Sequence, residues 1–381
     1  MGRPIPVMWD FRARALPVRD LRGYPAVVAG ATTWTQAREQ ILQICRSRAD
    51  ARTLRLEVLA VLRRVIGFDA YVWLLTDPET SVGSAPLADV PCLPELPRLI
   101  RLKYLTTVNR WTAMITPVAS LHQATGGDLA RSLLWRDLLR SYQIGDIATS
   151  VHRDRFGCWA FLDLWRGSEA PPFAAAELEL LHDVAAPLTT ALRHSQAAAF
   201  AAERAAELVS AGPVVLLLSP GLDVRAQTPQ TQRYLRLLIP PDAGGQAPVP
   251  AGAYNVGAQL LAREAGVDGH PPLARVHLGS GRWLTLRASR LDSAQPVPER
   301  DIAVSIETTA PDGRVSLFAR ACGLSPREAE LLDHVVAGAS TRDIARLMFL
   351  SEHTVQDHLK SIFAKTDTRT RRTLLARVLG T

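Results

Sequence analysis

Gln356, Asp357 and Lys360 set an amide, a carboxylate and an ammonium close together on what reads as one helix. A helix advances about 100° per residue. With Val355 at zero on that projection, Leu359, Ile362, Phe363 and His358 fall within about 80° of it and make a core stripe. Gln356, Lys360, His353, Ala364 and Asp357 fall on the opposite arc, between about 100° and 200°. An outward face of this kind suits a DNA major groove, where Gln and Lys address purine edges and Asp accepts from a cytosine amine. Thr354 and Lys365 sit at the rims of the face, where phosphates would pass. Arg369, Arg371, Arg372 and Arg377 follow with further charge for the backbone. Asp357 is the discordant member, since a carboxylate that finds no cytosine amine repels the phosphates. Taken alone, the face would serve equally well as the solvated side of a small helical bundle.

The elements that would position this face are marked by their caps. Leu324-Ser325-Pro326-Arg327-Glu328 starts a helix, with Ser in the cap position, Pro at the first helical position and an acid in the first turn. Ala329, Leu332, Val335 and Val336 follow at helical spacing, and Gly338 closes the run as a left-handed cap. Ser340 or Thr341 opens a short second helix with Ile344, Ala345, Leu347 and Met348 turned inward. A break at Leu350-Ser351 starts the third helix, Glu352 to about Thr366, which completes a helix-turn-helix pattern. Leu374, Leu375, Val378 and Leu379 crowd a fourth helix with more apolar surface than a small module buries. That crowding predicts a homodimer whose two reading helices lie about one DNA turn apart on an inverted repeat.

Residue identity narrows the reading further. The segment has Leu-Ser-x-Arg-Glu at 324–328, Gly338-x-Ser340, Ile344-Ala345-x-Leu347, Leu350-Ser351-x-x-Thr354-Val355-x-x-His358 and Ile362-x-x-Lys365. Over Leu324–Leu379 it resembles the LuxR/NarL/FixJ-type helix-turn-helix domain. The resemblance implies four helices, the third in the major groove and the fourth often pairing two subunits. Carried onto this chain, it implies base-edge contacts from Gln356, Asp357 and Lys360 and phosphate contacts from Thr354 and Lys365. Arg327 and Glu328 match paired charges that brace the module. Thr366-Asp367 stands where many members have Leu-Gly, so the third helix is expected to end on Asp, which tolerates the left-handed conformation at modest cost.

The remainder of the 381 residues is long enough for further domains. The net charge of +7 is spread unevenly: residues from Arg320 onward hold ten basic against seven acidic groups, and the first 25 hold five Arg against two Asp. No apolar run reaches the roughly 18–20 residues of a membrane span. The longest, Val214–Leu218, is framed by Pro213 and Pro220 and reads as a buried strand. The front end has no secretory h-region. Cys45, Cys92, Cys158 and Cys322 are widely spaced, as buried thiols of a reducing compartment are. A cytoplasmic protein is expected.

Residues 33–198 read as α+β, with helical periodicity over Gln36–Ile66, strands at Phe68–Thr76, Ile147–His152 and Cys158–Trp165, helices at Pro97–Leu105 and Leu129–Tyr142, and a long helix over Ala174–Ala206. The closing strand Trp159–Trp165, Phe173 and the helix through Leu192, with the Gly67-Phe68-Asp69 entry to the first strand, resemble a GAF sensor domain. Residues 212–310 place a strand at Val214–Leu218, helices at Gln230–Leu238 and Ala253–Ala265 around a proline-rich break at Pro240–Pro250, then strands at Ala274–Leu278, Trp283–Ser289 and Ile302–Thr308. That order resembles a PAS fold. The expected layout is thus multidomain: an arm (1–32), a GAF-like domain (33–198), a helical linker (199–211), a PAS-like domain (212–310), an Asp312-Gly313 turn, and an all-α helix-turn-helix domain (317–381).

Trp73, Trp111, Trp159 and Trp165 could line an aromatic pocket, although tryptophans on strands are more often core. His152 with Cys158 completes no metal or haem ligand set, and Gly126-Gly127-Asp128 is more economically a capped turn than an anion cradle. No catalytic constellation, cofactor motif or receiver-type phosphoacceptor arrangement stands out. The reading is a one-component transcriptional regulator that binds double-stranded DNA as a homodimer, meets RNA polymerase if it activates, and answers a small-molecule or protein effector. The alternatives are an enzyme acting through the front α+β domains and a protein-interaction module with a degenerate helix-turn-helix.

Overall fold

A computed structural model describes residues 31–201, 212–237, 250–278 and 282–380. The arm up to residue 30, most of the linker at 199–211, most of the Pro240–Pro250 break and the Gly279–Gly281 turn lie outside the described residues.

The first unit opens with α1 (Ala31–Arg46) and α2 (Ala51–Val65). The single helical periodicity expected over 36–66 is broken in two because Arg48 is left-handed (φ 55°) and Asp50 restarts the helix. The Asp50 carboxylate accepts from Arg52 N at 2.9 Å and Thr53 N at 3.1 Å, which satisfies two of the open N–H groups of the first turn. Then come β1 (Ala70–Thr76), β2 (Gly83–Asp89), α3 (Leu96–Leu105), β3 (Val118–Ser120), α4 (Leu121–Thr125), α5 (Leu133–Asp137), β4 (Ile144–Asp154), β5 (Gly157–Gly167) and α6 (Ala175–Ala199). The strands form one antiparallel sheet in the order β2-β1-β5-β4-β3. Strand alternation sorts the side chains. Trp73, Leu162 and Leu164 pack with Val58, Leu62 and Leu181 of α2 and α6, while Leu74, Phe161 and Trp165 pack on the opposite face with Leu99 and Leu102 of α3.

The second unit contains β6 (Val215–Leu218), β7 (Val224–Gln227), α7 (Thr231–Leu237), α8 (Ala251–Glu264), β8 (Leu273–His277), β9 (Trp283–Arg290) and β10 (Ile302–Thr308). Its sheet runs β7-β6-β10-β9-β8, the same order as the first once strands are counted within each unit. Ala253, Val256, Ala258 and Ala262 of α8 are all buried, as befits a helix enclosed on every side. It packs on β9 and also reaches α3 and β2 of the first unit.

Three strands were not foreseen. β2 and β7 lie at sheet edges, and β2 carries Pro86, which a central strand would not tolerate. β3 is only Val118–Ala119–Ser120. The helix expected over 129–142 is instead a series of short turns around α5, restarted by Asp128 and Ser132. All four tryptophans singled out are buried: Trp111 stacks on Phe161 at 5.0 Å and donates Nε1–H to Asp163 at 3.0 Å. Burial takes the His152 imidazole down to about 4, so it is a neutral ring lying on Trp73.

The expected Asp312-Gly313 turn is helical. Pro311–Ala321 forms α9, with Pro at the first position and Asp312 in the first turn. Four further helices follow: α10 (Pro326–Val336), α11 (Thr341–Leu347), α12 (Glu352–Thr366) and α13 (Arg371–Leu379). No helix among the described residues is long and apolar enough to cross a membrane.

Candidate nucleic-acid interface

The face carried by α12 is set by the caps around it. Ser325 caps α10: its Oγ accepts from Glu328 N at 3.3 Å, and Glu328 Oε2 accepts from Ser325 N at 2.6 Å. The helix stops at Gly338 (φ +82°), and Ser340 repeats the reciprocal cap with Asp343 to start α11. Ile344 and Ala345 of this helix and Met348 at its C-cap are buried, whereas Leu347 is 57% exposed, contrary to expectation. Leu347 lies about 100° from the centre of the stripe those three residues make, so Met348 takes the core position. The turn after α11 closes on Phe349, left-handed at φ 54°, with Leu350 N donating to Ala345 O at 2.9 Å. Ser351 then caps α12, accepting from Thr354 N at 3.0 Å, while the Thr354 hydroxyl lies 2.8 Å from Ser351 Oγ.

Along α12 the expected division holds. Val355 and Ile362 are fully buried, and His358, Leu359 and Phe363 are half-buried. His353, Gln356, Asp357, Lys360 and Ala364 are exposed together on the other side. The charged members of that face are already paired with one another. Lys360 Nζ donates to Asp357 Oδ1 at 3.0 Å, and His353 Nε2 lies 3.5 Å from Asp357 Oδ2. The Lys360 hydrogen bond holds the Asp357 carboxyl below the usual carboxylate range. Asp357 therefore presents itself as half of an ion pair, and its repulsion of a phosphate is correspondingly reduced.

Lys365 does something different from what its rim position suggested. Its Nζ donates to both oxygens of Glu328, at 2.9 and 2.6 Å, and Ser361 Oγ donates to the same carboxylate at 2.6 Å. Burial alone would raise the Glu328 carboxyl, yet the hydrogen bonds from Lys365, Ser361 and Ser325 bring it down to about 2. One buried carboxylate thus ties the start of α10 to the end of α12. Arg327, expected to share this bracing, pairs instead with Glu330 at 2.8 Å on the surface.

The end of α12 is as the residues implied: Asp367 is left-handed (φ 50°), and its N–H donates to Phe363 O. Arg377 covers the open carbonyls there by donating to Thr366 O and Asp367 O, and Arg371 donates to Ala339 O. Arg369 and Arg372 are exposed beside the helix end. The expected dimer helix needs correction. Leu374 and Val378 of α13 are 0% exposed within the single chain, so they offer nothing to a second subunit. Part of the reason is α9, which packs against α13 and whose Arg314 Nε donates to Val378 O at 2.7 Å. Leu375 remains partly exposed.

Sequence reasoning missed Ser361 and the whole of α9. Pro311-Asp312 is a helix start, and Val315, Phe318, Ala319 and Cys322 repeat at helical spacing, so the signal for α9 was present beside the Asp-Gly turn signal.

Residues 323–378 match the family described as bacterial regulatory proteins, luxR family. That segment is a luxR-family helix-turn-helix domain. A probable HTH-type transcriptional regulator, GfsR of Streptomyces halstedii, is 38% identical over 68 residues, which is 18% of this chain and 28% of the relative. The likeness to GfsR thus spans little more than a quarter of that regulator's length.

Proposed function

We propose that the chain is a sequence-specific, DNA-binding transcriptional regulator of the one-component kind. The observation that carries this reading is the outward face of α12, where Gln356, Asp357 and Lys360 stand exposed over a fully buried Val355 and Ile362. Gln356 and Lys360 address base edges, and Asp357 accepts from a cytosine amine once Lys360 turns to a base. Thr354, Arg369, Arg371 and Arg372 supply the phosphate contacts. The two front units act as the sensor, GAF-like then PAS-like, for a small-molecule or protein effector; their shared strand order favours treating them as two domains of one kind. A homodimer would form through Leu375 and surfaces outside the buried positions of α13, and an activator would meet RNA polymerase. The test is selection of duplexes from a random pool by the full chain, followed by titration at several salt concentrations. A recovered inverted repeat and a steep loss of affinity with salt support the reading; no enriched sequence and a flat salt response would refute it.

A further inference from the structure

The turn between β1 and β2 is held with little freedom. Cys158 N donates to Pro78 O at 3.1 Å, and a Cβ on Gly157 would lie 2.4 Å from that same oxygen, so only glycine admits the approach. This turn presents Asp77 and Glu79 to the second unit. Arg275 of β8 meets Asp77 as a fork, Nε to Oδ2 at 2.6 Å and Nη2 to Oδ1 at 2.9 Å, and its backbone N–H donates to Oδ2 at 2.9 Å. The guanidinium reaches further. Nη2 donates to Glu79 Oε2 at 2.7 Å and Nη1 to Gly313 O of α9 at 3.1 Å, while Ser316 Oγ of α9 donates to Glu79 Oε2 at 3.2 Å. Thr80 Oγ1 adds a bond to Leu273 O at 2.6 Å. One nearly buried guanidinium therefore joins the first sheet, the second sheet and the helix that leads into the helix-turn-helix module.

Helix α9 is in turn fastened to everything around it. Phe318 is fully buried and meets Phe200 edge-on at 5.2 Å, and Phe200 stacks on Trp283 of β9 at 5.0 Å. Arg314, the residue after Gly313, lies over the Phe200 ring at 4.9 Å and donates to Val378 O at the far end of α13. The last turn of α9 is also bonded to the first unit: Arg320 Nη1 donates to Phe156 O at 2.9 Å, and Arg193 Nη1 donates to Ala321 O at 3.3 Å. The polar bonds at the two ends of α9 thus run to different partners, and it is the front end that is bonded to Arg275 at the seam between the two sheets.

We propose that Arg275 is a latch that couples the seam between the two sheets to the DNA-binding module through α9. A shift that draws β8 away from the β1–β2 turn withdraws the guanidinium from Asp77, Glu79 and Gly313 together. The front of α9 then loosens, and Arg314 carries the loosening to the end of α13. An effector that binds either sheet unit has in this latch a physical route to the module. The coupling is a property of the free protein, so it is testable without DNA and stands or falls apart from the DNA-binding reading.

The experiment is hydrogen exchange on the full chain, resolved by segment, for a Glu79→Gln/Ser316→Ala double variant and for Arg275→Lys. The double variant touches only the surface side of the latch and leaves the Asp77 fork in place. Loss of the Ser316–Glu79 bond at α9, with the Glu79 charge that helps hold Arg275 against Gly313, should speed its amide exchange about tenfold, and that of α13 about threefold, with the β4–β5 hairpin unchanged. Arg275→Lys should give the same pattern, larger. Unchanged exchange in α9 overturns the latch, and so does a faster α9 beside an unchanged α13, since that removes the coupling. If Arg275→Lys speeds all three segments alike, it reports loss of fold, and the double variant alone decides.

Discussion

Helix α12 carries two lysines five positions apart, each paired with a carboxylate, and the two pairs do opposite work. Lys360 and Asp357 meet on the outside at 3.0 Å, with side chains 70% and 54% exposed. Lys365 meets Glu328 at 2.6 Å, and the Glu328 side chain is only 5% exposed. In water the outer pair is worth little to stability and is easily exchanged for another partner. The inner pair sits where removing Lys365 strands a buried carboxylate, and it is reinforced by Ser361 and the Ser325 cap. The same two charge types thus give a replaceable contact on one face of α12 and a fixed strut to α10 on the other. Burial, and not residue type, makes the distinction.

The inward side should dominate every stability measurement. Leu374→Ala removes a fully buried side chain beneath α9 and should cost about 3 kcal/mol, read as a lower denaturation midpoint. Were Leu374 a subunit contact, the loss would instead depend on protein concentration. Glu328→Gln should follow at about 2 kcal/mol near neutral pH, because the strut loses its charge and the cap its acceptor. The strut also has a pH signature. The folded Glu328 carboxyl is held at about 2 against an ordinary 4.5. A depressed carboxyl stabilises the fold above its unfolded value and loses that stabilisation as pH falls through the folded one. Between pH 4.5 and 2 the wild type should therefore shed most of the about 2 kcal/mol that Glu328→Gln already lacks. Equal acid sensitivity of the two proteins would contradict the assignment.

The helix ends were legible because they are local. Ser325, Gly338, Ser340, Ser351 and Asp367 each act within a few residues of where they stand. The core stripe of α12 and the exposed face opposite it follow from period alone. What was lost needed partners distant in sequence. Lys365 reads as a rim cation because Glu328 lies 37 positions away, and Leu374 and Val378 read as a dimer surface because Asp312-Gly313 signals a turn where α9 lies. The front units show the same limit. Most of their other strands and their long helices are visible, but the edge strands β2 and β7 are poor in β-branched and aromatic residues, with Pro86 in one of them. That both sheets share one strand order appears only in the pairing, since no repeat accompanies it in the sequence.

The outward side should matter only when DNA is present. Asp357→Ala should have the smallest effect, with binding to scrambled duplex strengthened about threefold by loss of a charge that faces phosphate, and discrimination lost at one base pair. A weaker grip on scrambled duplex would mean that Asp357 chiefly positions Lys360.

The central claim is that the outer lysine reads and the inner lysine holds. Lys360→Ala and Lys365→Ala, each titrated in the full chain on the selected duplex and on a scrambled one at matched salt, test it most directly. Lys360→Ala should cost about 1–3 kcal/mol on the selected duplex and little on the scrambled one. Lys365→Ala should lower stability, weaken both duplexes alike and leave the salt slope where it was. A salt slope lower by about one unit would show that Lys365 leaves Glu328 for a phosphate. Equal losses for the two variants on both duplexes would contradict the division between the faces.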